Sequence, residues 1–282
     1  MRVLVVTNAY PSASNVSLGT FVKDQVESVR ALGIDVEVLY IDRAGQGSKA
    51  YRGLEPVLRS AVDGAKPDLV HVTYGGVLAD IVARKLSDLP LVVSFCGNDL
   101  LGEGDATLPR RLIGRYSVVC SHRAARRARG IIVKSSVLEA ALPGSIDRGR
   151  VSIIPSGVDL DTFQPGNRAA SRAELGWAAE PKHVLFTAAT ERTEKRFGLA
   201  QAAVERARVD GLDIELHVLD GVPRERVPLW LNASDSILLT STHEGSPNVV
   251  KEALACDVAV VSTDVGDVRE RIDGIGGEPL QR

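Results

Sequence analysis

The sequence predicts an α/β chain of two doubly wound parallel-sheet domains, residues 1–165 and 166–282, facing a cleft, with the second incomplete. Three observations carry this. Short β-branched apolar runs recur, they are separated by segments of helical length, and the alternation pauses once and then restarts.

The first set of runs lies at residues 3–7, 36–41, 69–72, 91–95, 131–133 and 151–154. Each is almost wholly apolar, as parallel strands buried on both faces must be. Between the first two, segment 21–32 sets Phe21, Val22, Val26 and Val29 on one helical face and Lys23, Asp24, Glu27 and Arg30 on the other. The pause runs from Pro155 to Gly166 through two prolines and two glycines, the composition of an interdomain linker. Strands then return at 184–188, 214–219, 236–239 and 258–262, with helices at 197–209, 227–232, 247–255 and 268–272. The tail, 275–282, offers no helix to close the second sheet, so the chain reads as cut short there.

Composition narrows the function. Hydrophobic residues are 44% and charged residues 25%, which fits a globular chain and excludes disorder. A formal net charge of -2 and 4% aromatics give no general affinity for nucleic acid. Cys96, Cys120 and Cys256 are far apart, forming neither a zinc motif nor a disulfide framework. The apolar run 3–6 is too short for a signal peptide, and no stretch is long enough to span a membrane, so a cytoplasmic location is expected.

Ligands of parallel α/β domains bind outside the strand carboxyl ends, so the loops that follow strands are the places to search. After strand 236–239 comes His243-Glu244-Gly245-Ser246-Pro247-Asn248-Val249-Val250-Lys251-Glu252. Ser246 reads as an N-cap and Pro247 as the first helical residue. The free amides of Asn248 and Val249 then suit a phosphate. Glu252 lies one turn beyond Asn248, and Glu244 just before the helix, so two carboxylates flank the anion site. The same spacing also fits a capped surface helix with two solvated glutamates.

Glu, seven residues, then Glu, followed by Ala-Leu-Ala-Cys and Val-Ala-Val-Val-Ser-Thr-Asp-Val-Gly, resembles the donor-site signature of glycosyltransferase family 4. The similarity extends through Ile153-Ile154-Pro155-Ser156-Gly157-Val158-Asp159 to the N-terminal strand and its glycine loop. The resemblance implies a GT-B-like pair of Rossmann-like domains, the first on the acceptor side and the second binding a nucleotide sugar. It implies retaining transfer of a sugar from a nucleoside diphosphate sugar to an acceptor hydroxyl, in polysaccharide or glycoconjugate synthesis. Glu252 would hold the ribose and Glu244 a donor-sugar hydroxyl, with Gly245 and Ser246 in the same donor loop. By the same resemblance roughly the last quarter of the second domain is missing.

Three further loops fall into place beside it. Thr190-Glu191-Arg192-Thr193-Glu194-Lys195-Arg196 follows strand 184–188, where cations can neutralise a departing diphosphate. Lys195 matches the family's lysine, but Thr190 occupies the place of its arginine, leaving Arg192 or Arg196 to compensate; unaided by resemblance, these basic residues also read as solvated surface. Asn8-Ala9-Tyr10-Pro11 and Ser17-Leu18-Gly19 form the first glycine loop, with Gly19 free to approach a ligand or simply to start a helix. In Ser94-Phe95-Cys96-Gly97-Asn98-Asp99, Gly97 and Asp99 match a family motif whose histidine is here Cys96, and Asp99 joins Lys195, Arg192 and Glu244 as a catalytic candidate. Cys96, with no evident base, reads as a packing residue. Cys96, Gly97, His71 and Tyr74 are candidates for the acceptor side, although His71 alone is equally a structural histidine.

Asp159-Leu160-Asp161 is an Asp-x-Asp without further carboxylates and lies in the linker, so no metal and no cofactor beyond the co-substrate is expected. Segment 110–129 carries seven arginines (Arg110, Arg111, Arg115, Arg123, Arg126, Arg127, Arg129) and no acid, with Leu112, Ile113, Tyr116, Val119 and Cys120 at helical spacing. The segment reads as one basic amphipathic helix or two, whose face rests on an anionic membrane surface such as the inner face, holds an acidic acceptor, or is merely solvated. The acceptor that the resemblance implies is a sugar or a lipid-linked one. A nucleotide-sugar epimerase of similar fold and a non-catalytic nucleotide-sugar-binding module fit the same motifs.

Overall fold

The computed structural model describes residues 1–13, 15, 18–102 and 108–273, except the side chain at position 110. Ser17 and the tail 275–282 lie outside the described residues. The chain divides into two compact units, Met1–Gly157 and Val158–Arg282.

The first unit contains β1 (Arg2–Thr7), α1 (Thr20–Ala31), β2 (Asp35–Tyr40), α2 (Arg43–Gln46), α3 (Leu54–Ala65), β3 (Leu69–Thr73), α4 (Gly76–Lys85), β4 (Leu91–Phe95), α5 (Asn98–Leu101), α6 (Leu108–Arg127), β5 (Gly130–Val133), α7 (Ser136–Ala140) and β6 (Val151–Ile153). Its strands form one parallel sheet in the order β2-β1-β3-β4-β5-β6. The apolar runs pack on both faces. Val22 and Val26 of α1 cover Val3, Val5 and Val36, while Leu58, Val82, Ala124 and Ala125 cover Leu4, Val70, Val93 and Ile131 from the other side.

The second unit adds α8 (Arg168–Leu175), β7 (Lys182–Phe186), α9 (Phe197–Val209), β8 (Ile214–Val218), α10 (Val227–Ala233), β9 (Ser236–Leu239), α11 (Asn248–Ala255), β10 (Ala259–Ser262) and α12 (Val268–Ile272). Its parallel sheet runs β10-β9-β7-β8. Leu185, Ile237 and Leu239 pack on one face and Val184, Phe186 and Leu238 on the other. Phe163, read in sequence with the end of the first domain, is fully buried in this second core. Burying a phenyl ring is worth about 2–3 kcal/mol, enough to draw the stretch behind it to the second unit.

The start of β7 and the buried face of α6 each have a physical reason. β7 begins two residues early, at Lys182, because the Lys182 amide donates to the Asp213 carbonyl and the His183 amide to the Asp235 carboxylate. Segment 110–129 contains one helix, α6, but Leu112, Ile113, Tyr116 and Val119 are exposed while Cys120, Ser121, Ala124 and Ala125 are buried. Small residues win the inner face because α4 lies close: a Cβ on Gly76 would stand 2.6 Å from the Ser117 hydroxyl. No helix among the described residues is long and apolar enough to cross a membrane.

Gly19 precedes α1 at φ 68°, and a Cβ there would meet the Ala9 carbonyl carbon and oxygen at 2.2 Å. Gly19→Ala is therefore expected to lower unfolding free energy by at least about 1–2 kcal/mol from the left-handed backbone alone, read as an earlier midpoint in urea denaturation. An unchanged midpoint would contradict the close approach.

Candidate functional site

In each sheet the strand order reverses at one point, between β1 and β3 in the first and between β7 and β9 in the second. Chains leave a reversal point in opposite directions, which opens a crevice at the strand carboxyl ends. In the second unit the loops after β7 and β9 close on each other there. The Lys195 ammonium donates to Glu244 Oε1, and Ser241 Oγ donates to the same oxygen at 2.6 Å. Both charged side chains are largely buried. The loops are stitched further by the Thr242 amide on the Glu194 carbonyl at 2.8 Å and by Thr240 Oγ1 on the Lys195 carbonyl at 2.7 Å.

The flanking arginines take different parts. Arg196 adopts φ 52° and turns its guanidinium onto the Thr240 and Ser241 carbonyls, at 2.6 and 3.2 Å. It is thereby a brace for the β9 loop, which corrects the expectation that it could stand in for an arginine at Thr190. Arg192, half exposed, pairs with Glu194 at 2.6 Å. Thr190 is exposed.

The β9 loop leads into α11, again with a correction. Ser246 does not cap the helix; its hydroxyl donates to Asp267 Oδ2 at 2.8 Å and accepts from Lys251 Nζ at 3.2 Å. Pro247, at φ -68° and ψ 116°, is still extended, so the helix starts at Asn248. Gly245 is buried against Gly266, where a Cβ would stand 2.7 Å from the Gly245 carbonyl oxygen. The Asn248 and Val249 amides belong to a first turn that has no intrahelical acceptors. Asn248 Oδ1 is buried with no hydrogen-bond partner among the described residues, an acceptor left over for a ligand.

Glu252, 5% exposed, accepts from Arg224 Nη1 at 2.6 Å. The Arg224 guanidinium lies 4.5 Å above the Phe163 ring. Sequence reasoning missed Arg224, and its one signal was a position in a loop following a strand. It missed Ser241 as well, since a serine beside a threonine in a loop carries no pattern.

In the first unit Asp99 organises two loops. Its buried carboxylate accepts from the amides of Gly75 (2.8 Å), Cys96 (3.0 Å) and Gly97 (2.7 Å), and its own carbonyl accepts from Ser121 Oγ at 2.6 Å. Burial pushes its carboxyl upward, against those amides. So engaged, the Asp99 carboxylate ties the loops after β3 and β4 together. Tyr74, whose amide donates to the Ser94 carbonyl, takes φ 76°, a strained value for a bulky residue, next to Gly75, where a Cβ would meet the Phe95 ring at 2.6 Å. Burial, with Asp99 nearby, pushes the Cys96 thiol up to about 12, so it is no nucleophile near neutrality. His71 lies within β3, with Nε2 at 2.8 Å from Ser94 Oγ, and burial together with nearby Lys134 pushes its pKa down to about 4. Lys134, buried just past β5, is a further cation that its place in a Lys-Ser-Ser run did not reveal.

Asp159, from the Asp-x-Asp, accepts from the Asp161 amide at 3.0 Å and Thr162 Oγ1 at 2.6 Å, closing a local turn.

Residues 1–157 match the family described as glycosyl transferase 4-like domain, and residues 180–279 match glycosyl transferases group 1. A Bacillus subtilis protein described as teichuronic acid biosynthesis glycosyltransferase TuaC is 27% identical over 95% of this chain and 82% of its own length. The D-inositol 3-phosphate glycosyltransferase of Pseudarthrobacter chlorophenolicus is 29% identical over 73% of this chain, which spans 56% of that relative's length. Among solved structures, sucrose-phosphate synthase from Thermosynechococcus elongatus superposes with a TM-score of 0.78 at 17% identity, covering 96% of this chain and 83% of the other. Anabaena HepE in complex with UDP-glucose superposes at 0.60 and 18% identity, covering 96% and 82%. These neighbours support a GT-B-like fold of two Rossmann-type units, the second the shorter.

The histidine shift makes a pH prediction. Above pH 6.5 His71 is neutral whether the chain is folded or not; below it the unfolded chain takes up a proton that the folded chain refuses until about pH 4. Stability therefore falls as pH drops through that window, by at most about 3 kcal/mol from this group. His71→Gln is expected to flatten the loss between pH 7 and 4.5 in denaturant titrations; an unchanged slope would remove His71 from the account.

Proposed function

Because the chain belongs to the glycosyl transferase 4-like family, we propose that it moves a sugar from a nucleoside diphosphate sugar to an acceptor hydroxyl, with retention at the anomeric carbon. The observation that carries this reading is the Lys195–Glu244 pair at the β7/β9 reversal, in the loop that leads to Asn248, whose Oδ1 has no hydrogen-bond partner among the described residues. The UDP-glucose bound by HepE supports a hexose nucleotide as donor, and the name of the TuaC relative supports a glycan acceptor.

In this reading the diphosphate lies on the Asn248 and Val249 amides, with Gly245 and Ser246 shaping the loop. Glu252, oriented by Arg224, takes the ribose hydroxyls. Glu244 accepts from a sugar hydroxyl, which loosens its hold on Lys195 just as negative charge grows on the leaving diphosphate. The bond from the anomeric carbon to the phosphate oxygen breaks, the acceptor oxygen bonds on the same face, and its proton passes to the departing phosphate. Lys195, with Arg192 at the loop edge, supplies the positive charge, so the step as written calls on no metal. In the first unit Gly19 and the Tyr74, Cys96 and Gly97 loops that Asp99 holds would serve donor phosphates and acceptor.

The chemistry is tested by incubating the full chain with uridine, guanosine and adenosine diphosphates and their sugar conjugates, with and without magnesium. One diphosphate is expected to raise the melting temperature irrespective of magnesium. Glu252→Gln should then weaken that donor, while Lys195→Ala should depress kcat more than donor affinity. No stabilisation by any nucleotide in folded protein would overturn the reading.

We further propose a cytoplasmic protein that touches the membrane through α6. Its Ile113 and Leu112 are 62% and 58% exposed, and exposed Arg111 and Arg115 flank them, which favours an anionic lipid surface over a merely solvated face. The chain is expected to co-sediment with phosphatidylglycerol vesicles and not with phosphatidylcholine ones, and Ile113→Glu with Arg115→Glu should release it. Equal recovery from both lipids would sink this surface.

A further inference from the structure

The second sheet carries a polar cluster that no step of the glycosyl transfer uses. On parallel strands β7 and β8, His183 pairs in register with Glu215, and Leu185 with His217. Side chains two apart on a strand share a face, so His183, Glu215 and His217 project from the same side of the sheet. That is unexpected where neighbouring positions are apolar, because a buried imidazole needs a partner for each nitrogen.

The three side chains converge. His183 Nδ1 lies 2.7 Å from His217 Nε2, and Glu215 Oε2 lies 3.7 Å from the first nitrogen and 3.6 Å from the second. One ligating atom from each residue thus lies within 4.8 Å of the other two. An ion bonded tetrahedrally at roughly 2.0–2.1 Å keeps its ligands roughly 3.3 Å apart. The cluster already brackets that spacing, and one ring must swing outward by roughly half an ångström to receive such an ion.

The surroundings set the rings for this. His183 Nε2 lies 2.8 Å from the Ala178 carbonyl, an oxygen that only accepts, so Nε2 carries the proton and Nδ1 presents its lone pair to the cluster. A ligating histidine is oriented by such a bond from its other nitrogen to a backbone carbonyl. Trp177 stacks on His217 with centroids 3.6 Å apart and planes 9° apart, and Trp230 meets Trp177 edge-on at 5.5 Å. The nearby Arg172 is held elsewhere, on Asp235 at 2.6 Å and on the Ala233 and Ala179 carbonyls, and does not neutralise Glu215. His183 is wholly buried and Glu215 close to half exposed, which gives an ion both a dry seat and a way in.

We propose that His183, Glu215 and His217 form a binding site for a divalent transition ion of the zinc class. Two imidazole nitrogens and one carboxylate select that class over calcium or magnesium, which take oxygen ligands. The ion fastens edge strand β8 to β7 and acts structurally, since Lys195 and Glu244 belong to the loops beyond the strand ends.

The test uses the untagged full chain, stripped by a chelator and titrated with zinc against a chromophoric competitor. One zinc per chain is expected, with a rise in melting temperature. His217→Ala and Glu215→Gln should each weaken binding by roughly tenfold or more, while His122→Ala, in the other unit, should leave it unchanged. Glu215→Gln is nearly isosteric and half exposed, so it carries the test even if His217→Ala does not fold. No stoichiometric zinc in the parent chain, or equal affinity in folded Glu215→Gln, would overturn the site.

Discussion

The constraint on which the rest depends is that the central parallel strands in both units are covered on two faces. Leu4, Val93, Leu185 and Ile237 are each fully buried, and little room remains for polar side chains along the strands. Charge is consequently pushed to the loops at strand ends, and the reversal of strand order decides which loops can meet. Lys195 and Glu244 sit in the two loops that leave the second sheet's reversal, and Asp99 ties together two loops that leave β3 and β4 in the first.

Charges withdrawn from water in this way need partners, and here the partners come from far along the chain. Lys195 and Glu244 are 49 residues apart, and Arg224 and Glu252 are 28 apart. Desolvation of such pairs is costly, so they contribute geometry more than stability. The same reasoning distinguishes Asp99, whose three backbone amides fix the Tyr74 and Cys96 loops, from Glu244, which binds side chains that a ligand can replace. The histidine cluster on β7 and β8 is a polar group set on otherwise largely apolar strands, and its convergent nitrogens and carboxylate are what make it a candidate ion seat.

Legibility followed the strength of the local signal. β4, β9, α9 and α12 fall where the apolar periodicity put them, because a buried strand or amphipathic helix advertises itself within a few residues. The start of β7 escaped notice since polar Lys182 and His183 open it through long-range backbone bonds. On α6 the spacing of the apolar residues did not say which face turns inward; close helix packing decided it, burying Cys120, Ser121, Ala124 and Ala125. Ser246 looked like a cap, and nothing local signals that Asp267 takes its hydroxyl instead.

By itself the sequence determined the α/β class, the run of strands and helices, and the loops that carry the glutamates, lysine and glycines. Those are short-range properties, written in the alternation of apolar and polar residues and in the order of motifs. Only the tertiary structure decided which partner each charged group finds: that Arg196 braces a loop, that Arg224 holds Glu252, that Asp99 takes three backbone amides, and that two histidines and a glutamate meet across β7 and β8. The reason is physical. Pairing between side chains depends on which strands become neighbours, and residues tens of positions apart carry no local mark of the partner they will find.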